Sequence, residues 1–118
     1  MIEQLVPRVF AARDLAHKEH WATKSYAQHM ALGEFYDDVI EAIDAVVECH
    51  QGMFGLIEPE APGKQKKPED FATYLRDEAD WIETNRELLS SGVGAIGNLL
   101  DTLTAVYLKA AYKLENLK

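Results

Sequence analysis

The sequence predicts an all-α fold, a single four-helix bundle spanning residues 1–118, on three observations. Four long segments repeat apolar residues at the i, i+3, i+4, i+7 spacing of an amphipathic helix. No segment shows the strict alternation of a half-buried strand. Clusters of glycine, proline, serine and threonine separate the four segments. A chain of 118 residues with 47% hydrophobic and 27% charged residues can bury one core, so one domain is expected.

The first helix is expected from about Ile2 to Ala22, with Leu5, Val9, Ala12 and Ala16 on one stripe and Pro7 close to its start. The second runs from about Ser25 to Gln51, its broad apolar face carrying Leu32, Phe35, Val39, Ile43 and Val46. Only Thr23, Lys24 and Ser25 lie between them, so the pair forms a tight antiparallel hairpin with Ser25 as the N-cap.

Gly52 to Lys67 is the main loop, rich in glycine and proline. The third helix is expected from Pro68, with Glu69 and Asp70 in its first turn, through Phe71, Leu75, Ile82 and Leu89. Ser90, Ser91 and Gly92 break it, and the fourth helix follows from about Val93 to Leu117. A helix of the second segment's length spans roughly 40 Å. The loop, fully extended, reaches roughly 50 Å. It is long enough either to cross the bundle or to double back, so both connectivities stay open.

Charge and composition exclude several function classes. A net charge of -8 disfavours nucleic acid, whose affinity for proteins comes mainly from Lys and Arg neutralising phosphates. The one basic cluster, Lys64, Lys66 and Lys67, reads as a solvated loop. The longest uncharged stretch, Leu88 to Leu100, falls well short of the ~20 residues of a membrane span and contains three glycines. No basic region followed by an apolar run opens the chain, so the cytoplasm is the expected compartment. A single cysteine, Cys49, fits that compartment and makes no internal disulfide.

The chemistry-bearing pattern lies on the first hairpin. Fifteen residues separate His29 from Asp44 and four separate Asp44 from Glu48, which places the three within about a 100° sector of the second helix. Asp37 falls in the same sector, beside the apolar face, and His20 enters from the end of the first helix. A mixed set of imidazoles and carboxylates suits iron, manganese or zinc. Set against that, carboxylates on a helix face are commonly a solvated stripe.

The stretch His20 to Glu48, HWATKSYAQHMALGEFYDDVIEAIDAVVE, resembles the first two helices of the Dps branch of the ferritin-like superfamily. The His20-Trp21 pair, His29, Asp44 and Glu48 carry the resemblance. It implies a ferritin-like bundle and an iron site, mono-iron or di-iron, shared across a twofold interface of a homo-oligomer. The two histidines would come from one subunit and Asp44 and Glu48 from the other, with ferroxidase activity as the implied chemistry. The chain departs from that family in the closer spacing of its histidines and in Gly33, which stands where the family often has a further Asp.

Glu78 falls between Leu75 and Ile82 on the apolar stripe of the third helix, and a carboxylate there needs a partner. A His or a Tyr hydroxyl is the expected one. The competing reading of the whole chain is a metal-free helical interaction module, for example a phage protein acting on a host partner, and the sequence also resembles small phage-encoded proteins. No membrane partner is expected.

Overall fold

The computed structural model describes residues 1–118 and holds five helices: α1 (Ile2–Ala22), α2 (Tyr26–Phe54), α3 (Phe71–Thr84), α4 (Arg86–Ser90) and α5 (Gly94–Asn116). It contains no strand. Four of the helices make the expected bundle, and the short α4 breaks the third segment in two.

Local chemistry sets each boundary. The Ser25 hydroxyl caps α2 by accepting from the Gln28 amide at 3.2 Å. Helix α2 runs one turn beyond Gln51 and stops at Gly55, whose φ of 98° is open to glycine and strained for other residues. Helix α3 starts later than the sequence suggests. Asp70 is its N-cap and not a first-turn residue, with a carboxylate oxygen 3.1 Å from the Thr73 amide. At Asn85 the side-chain amide donates to the Trp81 carbonyl at 2.8 Å, and the backbone N–H donates to the same oxygen at 3.1 Å. Helix α3 ends there and α4 follows, a division that periodicity does not reveal.

Around the bundle, α1 packs on α2, α2 on α5, and α5 on α3, while α3 meets α1 through a looser contact. Direction follows from what meets at each end. Glu19, Gln28, Asp70 and Leu114 surround one hollow, so α2 and α3 both begin where α1 and α5 finish. Val6, Glu48 and Pro59 meet near the opposite end. Residues 55–70 therefore travel back along α1, with Pro59 beside Phe10 and the Lys67 ammonium 3.3 Å from the Glu19 carboxylate. Helices α2 and α3 are parallel and diagonal. This is the connectivity with one long crossover, the kind used by ferritin-like bundles.

The apolar stripes meet in one core built around Phe35, Ile43, Leu75, Leu100 and Tyr107. Phe35 and Tyr107 pack edge to face with centroids 5.2 Å apart. Burying a side chain such as Phe35 contributes about 1.5–3 kcal/mol. Ion pairs bridge the helices outside the core. Glu34 joins α2 to α5 through Lys109 at 2.6 Å and Lys113 at 2.8 Å, and Arg76 joins α3 to Glu115 of α5. The two lysines hold the Glu34 carboxyl below the usual carboxylate range.

Candidate metal half-site

The tight turn at Thr23–Ser25 brings the last turn of α1 against the first turn of α2. His20 and His29 stack there with ring centroids 3.6 Å apart and planes 17° from parallel. The Nδ1 of His20 lies 2.6 Å from the His29 carbonyl oxygen, and the Nδ1 of His29 lies 2.7 Å from the His20 carbonyl oxygen. A carbonyl can only accept, so each Nδ1 carries the proton and donates. In the neutral ring the lone pair then sits on Nε2, and neither Nε2 has a hydrogen-bond partner in the chain. The His20 carbonyl belongs to the end of α1, where no further helical donor follows. His29 thus caps α1 while fixing its own tautomer.

Gly33, one turn beyond His29, makes this packing possible. A Cβ at that position would lie 3.0 Å from His20 Cε1 and 3.2 Å from His20 Nδ1. The side chain is absent where the imidazole of His20 lies.

An aromatic layer extends the pair. His17 stacks on Tyr36 at 4.2 Å and lies 4.5 Å from Trp21, while His20 meets Tyr36 edge on at 5.4 Å. His17 was not among the residues the sequence singled out. Its signal was legible, since it precedes His20 by three residues and Trp21 by four on one face of α1.

The carboxylates lie elsewhere. Asp37, Asp44 and Glu48 are exposed on α2. Asp44 and Glu48 rim a hollow with Val6, Phe10, Val47 and Pro59. Fifteen helical residues place Asp44 roughly 22 Å along α2 from His29. No group of three or more His, Cys, Asp or Glu residues within one chain is arranged to hold a metal. The structure brings together His20 and His29 and leaves Asp37, Asp44 and Glu48 apart from them.

Glu78 has a different partner from the expected His or Tyr. Arg8 of α1 reaches it with a two-pronged ion pair, Nε to Oε1 at 3.1 Å and Nη2 to Oε2 at 2.8 Å, and the Glu78 side chain is only 13% exposed. The guanidinium also lies over the Trp81 ring, 4.3 Å from its centroid. The pair gives the carboxylate on the apolar stripe its partner. Beside it, burial pushes the Tyr107 and Tyr74 hydroxyls well above their ordinary pKa, and the Glu78 charge adds to the effect.

No helix is long and apolar enough to cross a membrane. An "Uncharacterized 14.6 kDa protein in mobD-ri intergenic region" of Enterobacteria phage T4 is 26% identical over 107 residues, covering 90% of this chain and 81% of its own length. No solved structure matches the chain significantly. The model of a family described as a family of unknown function, DUF5856, matches residues 20–114, from His20 to the last buried leucine of α5, and the chain belongs to that family.

Proposed function

We propose that this protein binds a transition-metal ion, iron by the resemblance of its first hairpin to the Dps branch, through the Nε2 atoms of His20 and His29. Asp44 and Glu48 of a second copy complete the ligand set. The observation that carries this reading is the tautomer lock: both Nδ1 atoms are engaged by backbone carbonyls, and both Nε2 atoms are left without a partner. Histidine ligands ordinarily have their second ring nitrogen held in this way, which fixes the ring and raises its basicity. No three potential ligands of one chain are grouped to hold a metal, so this reading needs ligands from a second copy. Iron held there would supply one-electron chemistry toward dioxygen or peroxide. The chain's own part is to hold the two imidazoles by their Nδ1 atoms and so to remove the cost of orienting them.

Metal-depleted protein titrated with iron(II) under argon, and separately with zinc and manganese, tests this by calorimetry and metal analysis. Saturable uptake, abolished in His29→Ala and weakened about tenfold or more in Asp44→Ala, is the expected result. No uptake, or the same uptake in all three proteins, defeats the reading.

A second reading, a metal-free helical module that docks on a protein, is favoured by the absence of any three-ligand cluster within the chain and by the exposed side chains of Trp21, Tyr26 and Met30. It expects no uptake of metal and near-normal stability in His29→Ala and Asp44→Ala.

A further inference from the structure

Helices α1 and α3 meet only loosely, and between them lies a cavity of about 270 Å³ that the crossover closes on one side. Its polar groups come from three parts of the chain: Arg8 from α1, Tyr74 and Glu78 from α3, and Gln65 from the crossover. Each keeps hydrogen-bonding capacity that the fold does not use. Arg8 spends Nε and Nη2 on Glu78, which leaves both N–H groups of Nη1 without a partner, and 40% of its side chain is exposed. The Glu78 oxygens take one hydrogen bond apiece and can each accept another. Gln65 gives its Nε2 to the Gly63 carbonyl at 3.0 Å and leaves Oε1 free. The Tyr74 hydroxyl makes no hydrogen bond within the chain, although the residue is half-buried.

We infer that this cavity is a binding site for a free α-amino acid with a small apolar side chain. The charges of Arg8 and Glu78 cancel, so the cavity favours a ligand without net charge over a simple anion or cation. The inventory of free groups narrows the choice. Beside one guanidinium stand three kinds of acceptor: the Glu78 carboxylate, the Tyr74 oxygen and the Gln65 side-chain carbonyl. An α-ammonium brings three N–H donors to match them, and the carboxylate one carbon away takes the Nη1 donors of Arg8. A sugar brings only neutral hydroxyls and leaves the guanidinium without a second anionic partner. Hydrogen bonds with an ionised donor or acceptor are roughly twice as strong as neutral ones, which favours the zwitterion. Pro7, Ala11 and Pro62 supply the apolar part of the wall for the ligand's side chain. The volume lies just under the roughly 300–1,000 Å³ of sites for drug-sized molecules, which suits a single amino acid and not a peptide. Arg8 stands twelve residues before His20, roughly 18 Å along α1, so this site and the metal reading are independent.

Titration of the full, isotope-labelled chain in chelator with glycine, L-valine and L-leucine, up to tens of millimolar and followed by amide chemical shifts, tests the inference. Saturable shifts centred on Ala11, Gly63 and Tyr74 are expected, with L-valine about tenfold tighter than glycine because its side chain leaves water. N-acetyl-L-valine and L-valine amide each lack one of the two charges and are expected to bind about tenfold more weakly or worse. Tyr74→Phe and Gln65→Leu leave the Arg8–Glu78 pair in place, and each is expected to weaken L-valine about fivefold with its helical circular dichroism unchanged. No saturable shift with any of the three amino acids overturns the inference and marks the cavity as a water-filled slot. Equal affinity for the blocked forms overturns it, as does D-glucose binding as tightly as L-valine. So does L-valine binding that neither substitution weakens.

Discussion

His20 and His29 hold the two helices of their hairpin by each donating an imidazole Nδ1–H to the other's backbone carbonyl, at 2.6 and 2.7 Å. The two rings stack as a consequence, and any change that displaces one of them breaks both hydrogen bonds. The pair is at once a clasp at the end of α1 and a fixed placement of two imidazole rings whose Nε2 atoms have no partner in the chain.

Gly33→Ala separates steric need from helix propensity. Alanine in a helix interior gains up to about 1 kcal/mol over glycine. At Gly33 the new methyl meets the His20 ring, which is held on its other side by His29. Stability is therefore expected to stay level or fall, and the imidazole proton signals of His20 and His29 to shift. Gly52→Ala, a helical glycine with open space around it, is the control and is expected to stabilise. Urea denaturation and nuclear magnetic resonance read both.

Arg8→Met leaves Glu78 charged, largely buried and without a partner. A loss of about 2 kcal/mol is expected, in the range for hydrogen bonds to charged groups. The double substitution Arg8→Met, Glu78→Leu removes both charges and is expected to cost less than Arg8→Met alone. Denaturant titrations of the parent, Arg8→Met, Glu78→Leu and the double variant give the coupling between α1 and α3.

Tyr107 links stability to alkaline pH. Burial raises its pKa above the ordinary value of 10.0, so the folded chain keeps the proton where the unfolded chain releases it. Its contribution is complete below pH 10 and is lost as pH rises beyond that. Each such group adds a downward slope of about 1.4 kcal/mol per pH unit above its unfolded pKa. Tyr107→Phe is expected to reduce the slope between pH 10 and 11.5 by about that amount, measured by urea unfolding at each pH.

Asp70→Ala and Ser25→Ala each delete a side-chain cap. Each is expected to cost about 1 kcal/mol. The Asp70 loss is expected to raise amide exchange in the first turn of α3 alone, read by hydrogen exchange.

The helices were legible because their apolar periodicity is long and uninterrupted, most clearly from Val93 to Leu117, and because Ser25 is a strong cap before such a run. The pairing of His20 with His29 follows from a three-residue joint that leaves two helix ends little freedom. Other features rest on contacts between residues far apart in sequence. Arg8 and Glu78 are 70 residues apart, and nothing local to Glu78 names an arginine as its partner. The break between α3 and α4 at Asn85 leaves no mark on periodicity. The crossover was one of two routes open to a loop of sufficient length, and the outward position of Asp44 and Glu48 depends on how α2 is rotated against α1. A helical wheel gives a sector; packing gives its direction.

The crossover of residues 55–70 divides the molecule in a way that its single core conceals. Each side of it is a unit of near-neighbour contacts: α1 with α2, and α3 through α5. Neither can cover its apolar stripe without the other. The segment between them is the exposed run that carries Lys64 and Lys66. A trypsin cut there removes no helix, yet it turns one folding reaction into an encounter between two peptides. In the intact chain the tether supplies that encounter for a modest closure entropy. After the cut, the melting temperature of the protein depends on how much of it is in the tube.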